Sequence, residues 1–372
     1  MAVKDVAVLD FGSGKLTLLV GHGAVNNNFS ITASSDIEYA GFMDGEFVEE
    51  DTLFESVQQA VSDALGDLKK PISRLYVGVP AEFSKIETGV LSKNFGKQVE
   101  LNRKKIDSLF VNADKNVMSS THSVINISPL KYVLDGTNEI YDPIDCYCKT
   151  IDAEVCFILA DNKFISLVGR ILKDLKIDDV EYVSSILASG QYLISPDIRS
   201  RGALLVDVGY LTTFVGYLEG DGIREMSSFS MGGAQITAEL SDKMKLPFSA
   251  MEQVKRQLLV SVKPTAIDFY EMYRGNKIEK ISALKSNEIA LNVIDKMLKE
   301  IANIINTFDS PNELSKVYLT GGGLSYMKGI EYYMSQAIGL DVEVVYPKPI
   351  KYSKPDLSSV IGLLDASIKM EQ

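Results

Sequence analysis

The sequence predicts an α/β protein of two similar lobes with a ligand cleft between them. Three observations carry that expectation. The first is a repeat at long offset. Val8-Leu9-Asp10-Phe11-Gly12-Ser13-Gly14-Lys15-Leu16-Thr17 near the N-terminus is matched by Leu205-Val206-Asp207-Val208-Gly209-Tyr210-Leu211-Thr212-Thr213 past the middle. Each copy is an apolar strand ending in Asp, one residue, a Gly, a short turn and a second β-rich run. Solenoids repeat over a few tens of residues, so this offset points to paired subdomains. The second observation is the triplet Gly321-Gly322-Gly323 at the end of an apolar strand. The third is alternation of strand and amphipathic-helix patterns in both halves. A β-rich stretch from about 81 to 160, with no phosphate-hairpin signal, interrupts it.

Composition narrows the class. At 372 residues the chain is long enough for two domains with substantial cores, and 46% apolar with 24% charged residues is ordinary for a soluble globular protein. A formal charge of −12 argues against a nucleic-acid surface as the main business, so no nucleic acid is expected among the partners. The first ten residues lack a signal-peptide pattern, and no apolar run reaches the length of a membrane span. Cys146, Cys148 and Cys156, with His22 and His122 the two histidines of the chain, make a poor zinc set and read as reduced thiols.

In order, 6–33 read as strands around a glycine turn, with a further turn at 21–28. An amphipathic helix follows at 49–68, acidic in its first turn, then a break at Lys69-Lys70-Pro71 and a buried strand at 72–80. The middle stretch mixes strands at 84–92, 122–136 and 150–160 with a helix-like run at 102–117 and a turn at Tyr141-Asp142-Pro143. A helix at 164–177, a strand at 179–183 and a helix at 184–194 precede the second hairpin, which runs on to Gly233. Helices are expected at 234–244, 248–259 and 286–308, a strand, glycine turn and helix over 315–338, and a last helix at 355–370 packing back on the first lobe. The expected division is 1–80, 164–199 and 346–372 for the first lobe, 81–163 for the inserted subdomain and 200–345 for the second lobe.

An Asp at the end of a buried strand, beside a Gly that lets backbone N–H groups approach, suits Mg²⁺ and phosphate. The first copy is not a P-loop, because Leu16 follows Gly14-Lys15 and Leu9 stands where that motif needs Gly. Nor is it a dinucleotide fingerprint, since a strand follows it rather than a helix. What remains is a strand–turn–strand phosphate binder or a ligand-free tight hairpin, and the second copy favours the binder. Gly321, Gly322 and Gly323 allow a planar group to lie against backbone, and Ser230-Met231-Gly232-Gly233 is a weaker close-approach candidate. Glu252 and Lys255, three apart on a helix, face the same way and suit ribose hydroxyls and a purine edge or, more blandly, a solvated ion pair.

Taken in order, these elements resemble the actin-like ATPase superfamily (actin, the heat-shock chaperones and sugar kinases), and within it the bacterial cell-division FtsA family. Residues 10–15 are similar to the first phosphate motif, 207–213 to the second and 319–323 to the adenosine motif. Residues 41–61 resemble the family's helix lead-in, 124–160 its inserted subdomain, and Glu252 with Lys255 its Glu-x-x-Lys nucleotide contact. The resemblance spans about 5 to 366. It implies an actin-like two-lobed fold with central mixed sheets, a nucleotide cleft between lobes and the FtsA-type insert. It also implies ATP and Mg²⁺ as cofactors. Asp10 and Asp207 would hold the metal through water. Gly12, Ser13, Lys15, Gly209 and Thr212 would contact phosphates, Glu252, Lys255, Gly321, Gly322 and Gly323 would hold the nucleoside, and Gly232 and Gly233 are further cofactor-binding candidates.

By resemblance the partners are the C-terminal tail of FtsZ, docking within about 235–310, a second copy of the chain in filaments or dimers, and other division proteins. The location would be cytoplasmic, at the inner face of the membrane at the division site. Three departures modify this. Tyr210-Leu211 and Phe214 replace two glycines and the last Asp of the second phosphate motif, narrowing backbone approach. Ser185-Ile186 precede Leu187-Ala188-Ser189 where many superfamily members carry an acid that helps orient water. The chain stops at Gln372 without the amphipathic membrane-targeting tail of the family, so the membrane is reached indirectly or through a tail outside this chain. Binding with weak or absent ATP hydrolysis is the expectation. The alternatives are the actin-like adaptor of type IV pilus assembly, a true ATPase or sugar kinase of the superfamily, and a nucleotide-free paralogue acting as scaffold.

Overall fold

The structure is a computed structural model that describes residues 5–23, 29–66, 74–275, 277–309 and 316–371. Residues 24–28 of the expected turn and the Lys69-Lys70-Pro71 break lie outside these. Strand β1 (Val6–Phe11) is buried along its whole length and pairs antiparallel with β2 (Lys15–Gly23), which pairs with β3 (Phe29–Glu38). The turn between β1 and β2 closes by the Gly12 N–H donating to the Lys15 carbonyl at 2.9 Å. A short hairpin, β4 (Phe42–Met43) and β5 (Glu46–Phe47), leads into α1 (Glu50–Leu65). Glu50 and Asp51 favour that helix start against the N-terminal dipole, and Leu53, Val57, Ala60 and Ala64 bury one face. Strand β6 (Leu75–Val79) then pairs parallel with β1.

The insert comprises β7 (Ser84–Glu100), α2 (Arg103–Phe110), β8 (His122–Leu134), β9 (Asn138–Ile140) and β10 (Tyr147–Asp161). Its sheet is antiparallel in the order β7-β10-β8-β9, over a core that includes Leu101, Ile106, Leu109, Ile151 and Val155. The chain returns through α3 (Asn162–Asp174), β11 (Val180–Ser184), α4 (Ser185–Leu193) and α5 (Pro196–Arg199). Strand β11 joins β6 in parallel, so the first sheet reads β3-β2-β1-β6-β11.

The second lobe begins with β12 (Ala203–Val208), β13 (Thr213–Glu219) and β14 (Gly222–Phe229). After α6 (Gly233–Met244) and α7 (Phe248–Lys255) comes a two-stranded hairpin, β15 (Phe269–Arg274) and β16 (Lys277–Ser282). Sequence reading did not anticipate it, although Tyr270, Met272 and the Gly275 turn carry the alternation and turn signal of a hairpin. Helix α8 (Ala283–Ile305), β17 (Lys316–Thr320), α9 (Ile330–Ile338) and β18 (Asp341–Val344) complete the lobe. Its sheet reads β14-β13-β12-β17-β18. The two sheets therefore share one plan: an antiparallel hairpin on one side of the Asp-bearing strand and two parallel strands on the other. The sequence repeat is a repeat of topology.

Helix α10 (Ser358–Met370) crosses back, burying Val360, Ile361, Leu363 and Leu364 against Val6, Val8, Leu19, Tyr76 and Val183. A third core joins insert, first lobe and second lobe through Leu130, Cys156, Ile158, Leu187, Leu205, Phe214 and Leu218. Above it, the buried Glu219 accepts from Arg224 and from the Tyr141 hydroxyl at 3.0 Å, and Arg224 reaches Glu154 of the insert at 2.9 Å. No described helix is long and apolar enough to cross a membrane.

Candidate functional site

Open α/β sheets bind ligands beyond the carboxyl ends of their parallel strands. Here those ends come from both sheets, and the two Asp residues stand at equivalent places. Asp10 is the penultimate residue of β1 and Asp207 of β12. The turns that follow match atom for atom: Gly12 N–H donates to Lys15 O, and Gly209 N–H to Thr212 O, each at 2.9 Å. The tips meet directly, since the Leu211 N–H donates to Ser13 Oγ at 3.0 Å.

Asp10 is buried, and its Oδ1 accepts from Ser185 Oγ at 2.7 Å and Ser359 Oγ at 2.9 Å. Burial pushes its carboxyl above the usual range, while the two hydroxyls and Lys15 pull the other way. Asp207, half-buried, is pushed up to about 7, first by burial and then by the negative charges of Asp10 and Glu82. Glu82 is itself raised by burial, against a hydrogen bond with the Thr212 side chain. Lys15 lies 3.3 Å from Asp36 and 3.8 Å from Asp356.

The floor of the cleft is glycine for steric reasons. Gly323 N–H donates to Val208 O at 2.7 Å and Gly233 N–H to Gly209 O at 2.9 Å. A Cβ on Gly233 would stand 2.7 Å from the Gly323 Cα, and one on Gly321, at φ 85°, would collide with Asp207 Oδ1. The expected helix directly after this triplet is displaced: α9 starts only at Ile330, because residues 321–329 form turns ended by Gly329 at φ 81°. Gly322 faces Asp356, whose carboxylate accepts from the Tyr326 hydroxyl.

Glu252 and Lys255 form an ion pair at 2.8 Å, and it is not a solvated one. Lys255 is buried, its Nζ also donating to Gly233 O at 3.2 Å, and Thr237 Oγ1 donates to Glu252 Oε2 at 2.6 Å. Burial pushes the Lys255 ammonium down, whereas for Glu252 the charge and bond of Lys255 outweigh burial and hold the carboxyl low.

The structure thus brings the two turns with Asp10, Gly12, Ser13, Asp207, Gly209 and Thr212 together and sets Gly232, Gly233, Gly321 and Gly323 against the second turn. Lys255, paired with Glu252, joins Gly233, while Gly322 and Lys15 both face Asp356. Sequence reading singled out Ser185 only as a missing acid, not as a partner of Asp10. It missed Glu82, Ser359, Asp356 and Tyr39, whose hydroxyl donates to Gly12 O at 2.8 Å. Of these four, Glu82 left a local signal, an acid just past Pro80.

The residues present fit a divalent cation with phosphates. Burial and then the neighbouring charge of Asp10 raise the proton affinity of Asp207, with Lys15 the nearby cation, an imbalance that a dication relieves. No cluster of three or more His, Cys, Asp or Glu among the described residues is close enough to coordinate a metal on protein ligands alone. A cation here would be shared with water and phosphate oxygens, as Mg²⁺ commonly is.

Comparison with known proteins bears on the whole chain. The profile of the family described as "Cell division protein FtsA" matches residues 204–362, and that of the "SHS2 domain inserted in FTSA" matches 85–159, together more than half of the chain. The chain belongs to the FtsA family. The cell division protein FtsA of Neisseria meningitidis serogroup B is 24% identical, over 99% of this chain and 91% of its own length. That of Bacillus subtilis is 21% identical, over 96% and 82%. Among solved structures, the PilM–PilN type IV pilus biogenesis complex is similar at a TM-score of 0.63 and 16% identity, covering 98% of both chains. MreB 5 of Spiroplasma citri bound to AMPPNP is similar at 0.57 and 12%, covering 99% and 98%. The fold of this FtsA-family chain is therefore actin-like, with the SHS2 insert.

Proposed function

We propose that this FtsA-family chain binds ATP with Mg²⁺ in the cleft between its lobes and serves cell division by linking FtsZ to the membrane. The observation that carries the reading is the pairing of Asp10 and Asp207 at matched strand ends above the glycine floor of residues 209, 233, 321 and 323. Asp10 and Asp207 hold the hydrated cation. Gly12, Ser13, Lys15, Gly209 and Thr212 contact phosphates, and Gly232, Gly233, Glu252, Lys255, Gly321, Gly322 and Gly323 hold the nucleoside. Lys15 exchanges Asp36 and Asp356 for phosphate. The role of the bound cation is to neutralise phosphate charge.

Hydrolysis is weak. Ser185 spends its hydroxyl on Asp10 rather than orienting water, and Tyr210-Leu211 narrow the phosphate turn. The second lobe offers the FtsZ tail a place on β15–β16, where Phe269, Tyr273 and Ile278 are exposed on one face with Lys280 and its cross-strand partner Glu271. Such a face suits an apolar segment. Self-association into short filaments and location at the inner membrane face of the division site complete the proposal. Likeness to the pilus complex is one of fold and does not favour that role.

Titration calorimetry of the chain with ATP and Mg²⁺ tests the reading. Micromolar or tighter binding, lost in Asp10→Ala, supports it. Absence of binding overturns it in favour of a nucleotide-free scaffold.

A further inference from the structure

Three parallel strands of the first sheet end at the cleft, and each delivers a different polar side chain. Strand β1 delivers Asp10, β11 runs into Ser185, and β6 runs through Pro80 into Glu82. Ser185 is committed to Asp10. Glu82 instead faces the Thr212 side chain of the second hairpin, which holds its carboxyl down against the effect of burial. Its backbone is fixed on both sides. Ala81 is buried in the core shared with Leu205 and Phe214. The Phe83 ring sits 4.9 Å from Phe164, 5.1 Å from Phe47 and 5.2 Å from Phe42, and Ser84 Oγ donates to Pro80 O at 2.9 Å. A carboxylate presented from so packed a turn is held in place before any ligand arrives.

We infer that Glu82 is the water-orienting carboxylate for the slow hydrolysis of a bound nucleoside triphosphate. The inference rests on the nucleotide-binding reading above. Thr212, a phosphate contact in that reading, is the second-hairpin side chain that Glu82 faces, so a water held by Glu82 at the phosphate end lies beside the terminal phosphoryl group. Glu82 aligns that water and takes its proton. The water oxygen bonds to the terminal phosphorus, the bond from that phosphorus to the β-phosphate oxygen breaks with its electron pair staying on the nucleoside diphosphate, and inorganic phosphate leaves. The proton then passes to solvent. This assigns to the β6 end a task that the first turn of α4, with Ser185 in place, cannot perform.

The test compares wild type, Glu82→Gln and Glu82→Asp with ATP and Mg²⁺. Single-turnover phosphate release is measured with protein in excess, and calorimetry gives affinity for a non-hydrolysable ATP analogue and its Mg²⁺ dependence. The expected result is release slowed about 100-fold in Glu82→Gln, within the usual range for losing a general base, and partly restored in Glu82→Asp. Analogue affinity and the Mg²⁺ midpoint should stay within about twofold of wild type. Binding without any phosphate release by wild type overturns the role of Glu82 and leaves nucleotide binding standing. A loss of analogue affinity or a shifted Mg²⁺ midpoint in Glu82→Gln overturns it in favour of a cation-holding role. No binding by wild type overturns both readings.

Discussion

The ring of Tyr210 lies on Gly14, so close that a β-carbon at position 14 would overlap the ring's Cδ1. An aromatic side chain from the second hairpin thus fills the space above the first, and glycine at 14 is what allows it. Tyr210 is 42% exposed, so the ring can swing outward, but a ligand must displace it. Tyr210→Gly is expected to tighten ATP binding about tenfold, or about 1.4 kcal/mol, by calorimetry. Unchanged affinity would mean that the ring already clears the phosphate path.

Asp207 gives the metal-free protein a pH dependence of known sign. Its folded carboxyl titrates near 7, far above its ordinary 3.8, chiefly through burial. A raised folded value means that the native state holds its proton where the unfolded chain has lost it. Stability is therefore full below about pH 4 with respect to this group and declines as pH rises towards 7. Urea unfolding across that window should show the decline, reduced in Asp207→Asn. Added Mg²⁺ should restore stability above pH 7, where the carboxylate is free to share it.

The insert is fastened to the second lobe by Arg224, which bonds the buried Glu219 on one side and Glu154 on the other. Arg224→Ala strands Glu219 in the interior with the Tyr141 hydroxyl as its remaining partner. Breaking a buried pair in this way costs about 3–5 kcal/mol. A lowered denaturation midpoint, with no loss when the exposed Lys243 is replaced instead, is the result to look for.

The outer face of β15–β16 predicts a binding phenotype with no stability phenotype. Tyr273 and Ile278 are cross-strand partners, 63% and 56% exposed. Tyr273→Glu should weaken binding of an FtsZ C-terminal tail peptide at least tenfold by fluorescence anisotropy. Its melting should stay near wild type, as surface changes usually shift stability by less than about 0.5 kcal/mol. Equal affinity in the variant would move the tail to another face of 235–310.

The two Asp-x-Gly turns, the glycine triplet and most strands and helices were legible because each is a local pattern. An alternation of period two, a helical stripe or a glycine between two strands is written within ten or twenty residues. The long strands of the insert were read in pieces because their half-exposed faces mix polar and apolar residues, as in β7. The β15–β16 hairpin escaped notice because few of its described apolar side chains, Tyr270, Met272 and Ile281, turn inward.

By itself, then, the sequence determined a two-lobed α/β chain with a repeated Asp-bearing hairpin, and the order of motifs that places it in its family. Only the tertiary structure decided which side chains meet. Ser359 reaches Asp10 across 349 positions, Leu211 meets Ser13 across 198, and Lys15 finds Asp356 near the far end of the chain. Such pairs leave no periodic trace, because their spacing is set by how two sheets and a returning helix pack rather than by the rise of one element. The same holds for Glu252 and Lys255. Their spacing put them on one face of α7, but it was the packing of Gly233 and Thr237 against that face that removed them from water and bound them to each other.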